Sequence, residues 1–288
     1  MEILLNGKET AAAVRAELRE QIDAMRAAGK TVPGLAVVLV GDDPASAVYV
    51  RNKKRACEEV GIRSEVYTYP ADTSEEELLS RLDELNDRAD IHGILVQLPL
   101  PPHISEERVV RRIDPRKDVD AFHPYNAGKI LLGEEGFLPC TPAGVMELLH
   151  RYGISADGKE CVIVGRSNIV GKPQAMLLLR ENGTVTVCHS HTRSLSDVTR
   201  RADILVVAIG RPKFITGDMV KPGAVVIDVG INRTPEGKLC GDVDFESVAP
   251  RAYAITPVPG GVGPMTITML LRNTLYAAGH QDGTILAD

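Results

Sequence analysis

Residues 162–173 read VIVGRSNIVGKP and contain the pattern that decides the fold. A β-branched apolar run ends at Gly165, and a helical pattern begins near Gly171. A strand, a glycine turn and a helix in this order are the setting in which backbone N–H groups and a helix N-terminus bind phosphate. Ser167 stands where the second glycine of G-x-G-x-x-G would be, so a strand-turn-helix without a ligand remains an alternative. Ile169 excludes the G-x-S-x-G turn of hydrolases.

The same alternation of short apolar runs and helical patterns extends along most of the chain. It predicts an α/β fold, with a parallel sheet covered by helices on both faces. Near-continuous apolar runs suit strands that are buried on both faces. The predicted strands are 34–40, 63–69, 91–98, 159–165, 184–188, 203–210, 224–230 and 252–256. The predicted helices are about 9–28, 44–60, 74–88, 142–152, 171–182, 194–201 and 265–279.

The alternation lapses between about Pro99 and Pro142, where prolines are dense enough to break helices and sheets. We therefore expect two α/β lobes, residues 1–121 and 140–264, around a cleft. The last helix, within 265–288, is expected to return to the first lobe. Thr141 is predicted to cap a helix that has Pro142 in its first turn.

Composition narrows the class of ligand. The chain has 288 residues, is 44% hydrophobic and 25% charged, and carries a net charge of -6. That charge disfavours nucleic acids and anionic membranes as partners and favours a small molecule. Five scattered cysteines without a C-x-x-C pair suggest a reducing compartment. No secretory leader or apolar run of about 18 residues is visible, so a cytoplasmic location is expected.

The end of the strand after the glycine turn indicates which nucleotide binds. An NAD site has an Asp or Glu there for the ribose 2′-hydroxyl, whereas residues 188–193 read CHSHTR. Arg166, Ser190 and Arg193 could donate to a 2′-phosphate, which favours NADP. Surface histidines are the simpler interpretation of His189 and His191, and their spacing to Cys188 is poor for zinc.

The segment VYVRNKKRACEEVG, 48–61, predicts a helix with Tyr49 and Lys53 on one face. A lysine beside an aromatic ring could face a ligand, although an ordinary solvated helix face is the alternative. Gln97 ends a predicted strand, where its amide could face the cleft. Asp118 or Asp120 could accept hydrogen bonds from an amino-pyrimidine, or could instead stabilise a turn. The glycine-rich PVPGGVGP, 257–264, suits backbone close to a flat ligand, or a hinge.

Nine segments together carry a family resemblance. They are YVRNKKRACEEVGI (49–62), GILVQLPLP (93–101), KDVDAFHPYNAGK (117–129), PCTPAG (139–144), VIVGRSNIVGKP (162–173), CHSHT (188–192), VIDVGIN (226–232), GDVDF (241–245) and TPVPGGVGPMT (256–266). In this order and at these distances they resemble the bifunctional methylenetetrahydrofolate dehydrogenase/methenyltetrahydrofolate cyclohydrolases over nearly the whole chain. One departure is visible, because Ala121 replaces the glycine of the family's DVDG.

The resemblance implies roles for individual residues. Lys53 matches the catalytic lysine, Tyr49 a ring-stacking tyrosine, Gln97 the glutamine that contacts the lysine, and Asp120 the aspartate that grips the pterin. The remaining implied folate contacts are Leu98, Pro259, Gly260 and Gly261. The implied NADP contacts are Gly165, Arg166, Ser167, Ile169, Ser190, Thr192 and Ile231, with Arg166 and Ser190 at the 2′-phosphate. The resemblance implies no metal. It does imply a homodimer that forms through the second lobe.

The resemblance also implies two reactions. NADP would oxidise 5,10-methylenetetrahydrofolate to the methenyl cation, and water would convert that cation to 10-formyltetrahydrofolate. Hydride transfer needs no general base, whereas the hydrolysis needs a proton acceptor. Lys53 could serve only while uncharged, a form that a cationic ligand beside it favours. The alternatives are an NAD(P)-dependent dehydrogenase of another small substrate and a non-catalytic nucleotide sensor.

Overall fold

The computed structural model describes residues 2–281. It forms two compact units. Unit 1 contains the chain up to Ala12, Ile130–Glu134 and Thr141–Thr266. Unit 2 contains Ala13–Lys129, Glu135–Cys140 and the chain from Ile267. The end of the predicted segment 265–288, residues 282–288, lies outside the described residues.

Helices and strands alternate along the chain as the sequence predicts. The helices are α1 (Gly7–Ala27), α2 (Pro44–Val60), α3 (Glu75–Asp87), α4 (Glu106–Arg112), α5 (Pro124–Leu132), α6 (Cys140–Arg151), α7 (Gly171–Arg180), α8 (Leu195–Thr199), α9 (Phe245–Val248) and α10 (Val262–Gln281). The strands are β1 (Ile3–Leu4), β2 (Gly34–Val40), β3 (Arg63–Tyr69), β4 (Gly93–Val96), β5 (Glu160–Val164), β6 (Thr184–Cys188), β7 (Ile204–Val207), β8 (Val225–Asp228), β9 (Asn232–Arg233), β10 (Leu239–Cys240) and β11 (Ala254–Ile255).

Unit 1 is built on a six-stranded sheet in the order β1-β11-β8-β7-β5-β6, in which every pair is parallel. The residues of β7 and β8 are buried throughout, as their continuous apolar runs predict. The chain leaves β5 for β6 on one side and then returns to β7 on the other. This reversal makes the carboxyl end between β5 and β7 the topological switch point, where ligands of open α/β sheets bind.

Unit 2 is built on a parallel sheet in the order β3-β2-β4. The central strand β2 is buried at every residue, and its apolar side chains pack with Leu78, Leu82 and Leu85 of α3. These leucines recur at the spacing of one helix face. The predicted α/β fold with parallel sheets is confirmed.

Two local predictions are wrong. The stretch 99–142 is not free of regular structure, because α4 and α5 form within it. Ser105 accepts a hydrogen bond from Arg108 N at the start of α4, and Pro124 occupies the first position of α5, where its missing N–H costs nothing. Thr141 does not cap α6, which begins at Cys140. Its hydroxyl instead bonds that of Thr266, at 3.0 Å.

All five cysteines are buried and free. No helix within residues 2–281 combines the length and the apolarity needed to cross a membrane.

Candidate active site

Helix α2 positions the predicted catalytic lysine. The carboxylate of Asp43 accepts a hydrogen bond from Ser46 N at 2.7 Å, which satisfies one free N–H of the first turn. Pro44 begins the helix, and Gly61 ends it in the left-handed conformation that glycine adopts without strain. The helix is therefore fixed at both ends, and so is the direction of each side chain along it.

The basic run on α2 has one buried member. Lys53 is 8% exposed, whereas Arg51, Lys54 and Arg55 are exposed. Tyr49, one turn earlier, is half-buried, and burial raises the pKa of its hydroxyl. The predicted shared face of Tyr49 and Lys53 is confirmed, and the solvated-face interpretation holds only for the neighbours.

Gln97 follows β4 and contacts the lysine directly. Its Oε1 accepts a hydrogen bond from Lys53 Nζ at 3.0 Å, while its Nε2 donates to Leu98 O at 2.7 Å. Because the two ends of the amide have different partners, its orientation is fixed. Gln97 is the one hydrogen-bond partner that the described part of the chain gives the Lys53 amine. The structure thus holds that amine at the carboxyl end of the unit 2 sheet.

Asp118 and Asp120 occupy different environments. Asp118 is 2% exposed, and its carboxylate accepts hydrogen bonds from Phe122 N, His123 N and Asn126 Nδ2. Burial raises its pKa, against these donors. Asp118 therefore stabilises the turn, which was the simpler interpretation. The carboxylate of half-buried Asp120 has the thiol of Cys140 as its one donor among the described residues, so most of its acceptor capacity remains for a ligand.

Ala121 adopts a φ of 58°. This is the left-handed region that glycine adopts freely, and an alanine here costs about 1 kcal/mol relative to a relaxed backbone. The methyl group is buried, which offsets part of that cost. The turn that carries Asp120 is thus kept despite the absent glycine.

In unit 1, Gly165 ends β5 at the switch point. Its φ is 133°, and a Cβ on it would lie 2.3 Å from Ala208 O at the end of β7. A Cβ on Gly171, where α7 begins, would lie 2.3 Å from Gly165 O. Both glycines are therefore required for the close packing of strand, turn and helix. The residues between them from Arg166 to Ile169 are exposed.

Ser167 has a role that the sequence did not reveal. Its Oγ accepts hydrogen bonds from Val170 N and Gly171 N, and its carbonyl accepts one from Lys172 N. These N–H groups at the start of α7 already have acceptors within the chain. A phosphate at this turn would therefore meet the amides and side chains of the exposed residues rather than the first amides of the helix.

The turn after β6 lies beside this glycine turn, because Gly165 N donates to Cys188 O. The Thr192 hydroxyl accepts a hydrogen bond from His189 N at 2.8 Å and so stabilises the turn, while Ser190 is exposed. Ile231, after β8, is 50% exposed. The arginine and serine side chains at these two turns are exposed, and residues 188–193 contain no carboxylate. This arrangement fits a nucleotide that carries a 2′-phosphate.

Two buried aspartates that the sequence analysis did not single out hold the neighbouring loops. Asp242 is 0% exposed and accepts hydrogen bonds from Ile209 N, Gly210 N, Arg211 N and Asn232 Nδ2. Asp228, at the end of β8, accepts from Gly230 N, Asp242 N and Val243 N. Burial raises the pKa of Asp228 to about 6, and the charge of Asp242 adds to the shift. Gly241 directly before Asp242 and Gly230 two residues after Asp228 were the available signals.

The predicted folate-side loop Pro259-Gly260-Gly261 also lies in unit 1. Gly260 has a φ of 104°, and its carbonyl accepts a hydrogen bond from Lys8 N. A Cβ on Gly7 would lie 1.7 Å from Gly261 O. The loop therefore rests against the first turn of α1. Within residues 2–281 no cluster of histidine, cysteine and acidic residues could hold a metal.

Fold and site together define a class: a two-unit α/β protein with a nucleotide-type sheet in one unit and a buried lysine in the other. The model of the tetrahydrofolate dehydrogenase/cyclohydrolase catalytic domain matches residues 5–120. The model of the same family's NAD(P)-binding domain matches residues 139–282. The chain belongs to the tetrahydrofolate dehydrogenase/cyclohydrolase family. The resemblance stated from the sequence is confirmed.

Individual relatives agree with this assignment. The bifunctional protein FolD of Moorella thermoacetica is 62% identical over 96% of this chain and 98% of its own length. A crystal structure of the bifunctional enzyme FolD from Campylobacter jejuni has a TM-score of 0.94 and 52% identity, covering 96% and 98% of the two chains. The Trypanosoma brucei enzyme, described in complex with NADP cofactor and an inhibitor, has a TM-score of 0.92 and 40% identity, covering 96% and 97%.

Proposed function

We propose that the protein oxidises 5,10-methylenetetrahydrofolate with NADP and then hydrolyses the methenyl product to 10-formyltetrahydrofolate. It is a bifunctional dehydrogenase and cyclohydrolase of folate one-carbon metabolism. The family is named for these two activities, and relatives about 60% identical over nearly the whole chain are named bifunctional proteins. The observation that carries the assignment of residues is the buried Lys53 amine, held 3.0 Å from Gln97 Oε1.

NADP supplies the hydride acceptor when it is bound. For this step the residues need only hold and orient the reactants, because no proton is transferred to the protein. The exposed turn from Arg166 to Ile169 and the hydroxyl of Ser190 would bind the nucleotide phosphates. Gly165 keeps the turn close to the sheet, and Ile231 offers an exposed apolar surface to the nucleotide.

The hydrolytic step assigns a proton to Lys53. Water adds to the methenyl carbon and loses a proton, which the amine of Lys53 accepts. The bond from that carbon to N5 of the folate then breaks as the hydroxyl proton passes to N5, which leaves the 10-formyl group. Gln97 fixes the direction of the amine, and its own direction is fixed by Leu98 O. Tyr49, one helical turn away on the same face, would stack on the pterin ring. Pro259, Gly260 and Gly261 are proposed as further folate contacts.

Asp120 should matter for binding rather than for chemistry. A carboxylate with free acceptor capacity can take two hydrogen bonds from the amino-pyrimidine edge of the pterin. We expect Asp120→Ala to raise the folate KM roughly 10- to 100-fold in both reactions, since charged hydrogen bonds of this kind are lost. Steady-state kinetics of each reaction would measure this, with NADP affinity as the internal control. Unchanged folate affinity in a folded variant would contradict the role.

The assignment as a whole is tested by absorbance. When the protein is mixed with NADP and methylenetetrahydrofolate, we expect the absorbance at about 340 nm to rise, because reduced nicotinamide absorbs there. The same mixture with NAD measures the selectivity that Arg166 and Ser190 predict. If the protein binds the nucleotide but the absorbance does not rise, a non-catalytic nucleotide sensor is favoured. If the absorbance rises only with another hydride donor, a dehydrogenase of a different substrate is favoured.

We further propose the division of labour expected from the sequence: residues 1–121 and the helix within 265–288 for folate, and residues 140–264 for NADP. The two family-model matches, residues 5–120 and 139–282, support a division between about residues 120 and 139. The grouping of the chain from Ile267 with unit 2 supports the assignment of the last helix to folate. A homodimer in the cytoplasm, with neither nucleic acid nor membrane as a partner, completes the proposal. The net charge of -6 supports the exclusion of nucleic acid.

A further inference from the structure

The loop that carries Asp120 is attached to a residue much further along the chain. Asn273 lies on α10 and is 8% exposed. Its Nδ2 donates to Val119 O and to Leu138 O, both at 2.8 Å. A buried amide with two short hydrogen bonds fixes both carbonyls. The first of these belongs to the peptide bond that joins Val119 to Asp120, so Asn273 sets the position of the Asp120 backbone.

Cys140 adds a contact to the side chain of Asp120. Its Sγ lies 3.5 Å from Asp120 Oδ1, 3.4 Å from Val119 O and 3.8 Å from Asn273 Nδ2. A thiol has one proton, and Val119 O already accepts a short hydrogen bond from Asn273. The carboxylate is the stronger acceptor of the two and takes the thiol proton. Asp120 Oδ1 therefore accepts one hydrogen bond from inside the protein, which leaves its second lone pair and both lone pairs of Oδ2 for a ligand.

We propose that Asn273 and Cys140 are positioning residues for Asp120, which hold its carboxylate in the orientation that accepts hydrogen bonds from the amino-pyrimidine edge of the folate. The inference rests on the proposed function, in which Asp120 is the pterin contact. Neither residue touches the reacting carbon in this scheme. Their loss should therefore weaken folate binding and leave the chemical steps nearly intact.

The charges around Asp120 predict a pH signature. Lys53 acts on it from α2, Cys140 from α6 and Asp118 from the same loop. Burial raises the pKa of Asp120, whereas the charge of Lys53 and the hydrogen bond from Cys140 lower it. Burial also raises the pKa of the Cys140 thiol well above its ordinary value, so the thiol keeps its proton and remains a donor. Removing the donor should raise the pKa of Asp120 further.

The first experiment compares Cys140→Ala with Cys140→Ser. Folate binding needs ionised Asp120 and therefore weakens at acidic pH. We expect Cys140→Ala to raise the folate KM by about 10-fold at neutral pH and to move the acidic limb of its pH profile to higher pH. Serine keeps a hydroxyl donor, so Cys140→Ser should restore both values to within about threefold of wild type. A merely structural role for Cys140 would not move the acidic limb.

The second experiment uses a matched control on the same helix. Thr274 is also buried and polar, but within residues 2–281 its hydroxyl bonds only to Leu270 O of the same helix. We expect Asn273→Ala to raise the folate KM by about 10-fold, with kcat changed by less than about threefold. Thr274→Val should leave the folate KM unchanged. Denaturant unfolding and NADP affinity show whether each variant is folded.

The outcomes separate the inference from the function on which it rests. If the wild-type protein does not oxidise methylenetetrahydrofolate, the proposed function fails. If the wild type is active and both Cys140→Ala and Asn273→Ala keep its folate KM and pH profile, the inference alone fails. Equal rises in folate KM for Asn273→Ala and Thr274→Val would also overturn it, because they would indicate a general loosening of α10.

Discussion

Lys53→Met is expected to lower cyclohydrolase turnover by about 10³-fold, the usual contribution of a general base. Hydride transfer should persist within about tenfold, because it needs orientation and no proton acceptor. Methionine suits the position, since it is unbranched, favours helices and can occupy the space of an 8% exposed lysine side chain. Parallel assays of NADP reduction and of methenyl hydrolysis on one preparation measure the separation of the two activities.

The neighbour on the same helix provides the control. Lys54→Met makes the identical replacement at an exposed position, and we expect both activities to remain. Spontaneous hydrolysis of the methenyl compound must be subtracted, since it sets the lower limit of the assay. Equal loss of both activities in folded Lys53→Met, or full retention of the cyclohydrolase, would refute the separate roles.

Local geometry could group Lys53 with Tyr49 on one helix face, but a solvated face remained an alternative until the family resemblance assigned Lys53 as the catalytic lysine. Helix α2 was predicted over 44–60, and the observed range is the same. Once the helix exists, the four-residue spacing puts Tyr49 and Lys53 on one face and leaves Lys54 elsewhere. The parallel sheets could be predicted for a similar reason, since β2, β5, β7 and β8 are each short apolar runs followed by glycine or a polar turn.

Contacts between distant parts of the chain could not be predicted in this way. Cys140 and Asn273 reach the Asp120 loop across separations of 20 and 154 residues. Neither residue type predicts such a partner, because a cysteine is expected to behave as a small apolar residue and an asparagine as a polar surface residue. Ser167 is a different case, because its hydrogen bonds to the start of α7 are local. From the sequence it is interpreted as a missing glycine and as an implied NADP contact, and not as the acceptor of those amides.

The prediction that prolines break regular structure throughout the stretch 99–142 is wrong. The rule that proline breaks helices applies to helix interiors, whereas Pro124 stands at the first position of α5. Pro142 lies in the first turn of α6, as predicted. Both prolines begin helices instead of ending them. Position within the helix, which a single sequence leaves ambiguous by one or two residues, decides between the two outcomes.

The substitution Asp242→Ala is expected to lower both the stability of the protein and its affinity for the nucleotide. The two oxygens of Asp242 accept four hydrogen bonds, and each donor loses its acceptor in Asp242→Ala. Buried donors left without partners cost about 1–3 kcal/mol each, although water can reach the partly buried ones. We therefore expect the free energy of unfolding to fall by about 3 kcal/mol or more. A melting temperature lower by roughly 10 °C would be the corresponding shift.

The same variant should bind NADP more weakly, because the loops that Asp242 joins follow β7 and β8 at the carboxyl edge of the sheet. Asp242→Asn separates shape from charge. Its oxygen can still accept two of the four hydrogen bonds, but its amide turns two hydrogens toward the other donors, so an intermediate loss is expected. Asp244→Asn is the matched control, since among the residues that the structure describes that carboxylate has only a 3.8 Å pairing with exposed Lys213. Wild-type stability and NADP affinity in Asp242→Ala would show that the four hydrogen bonds do not hold the loops, whereas equal losses in Asp244→Asn would attribute the effect to net charge.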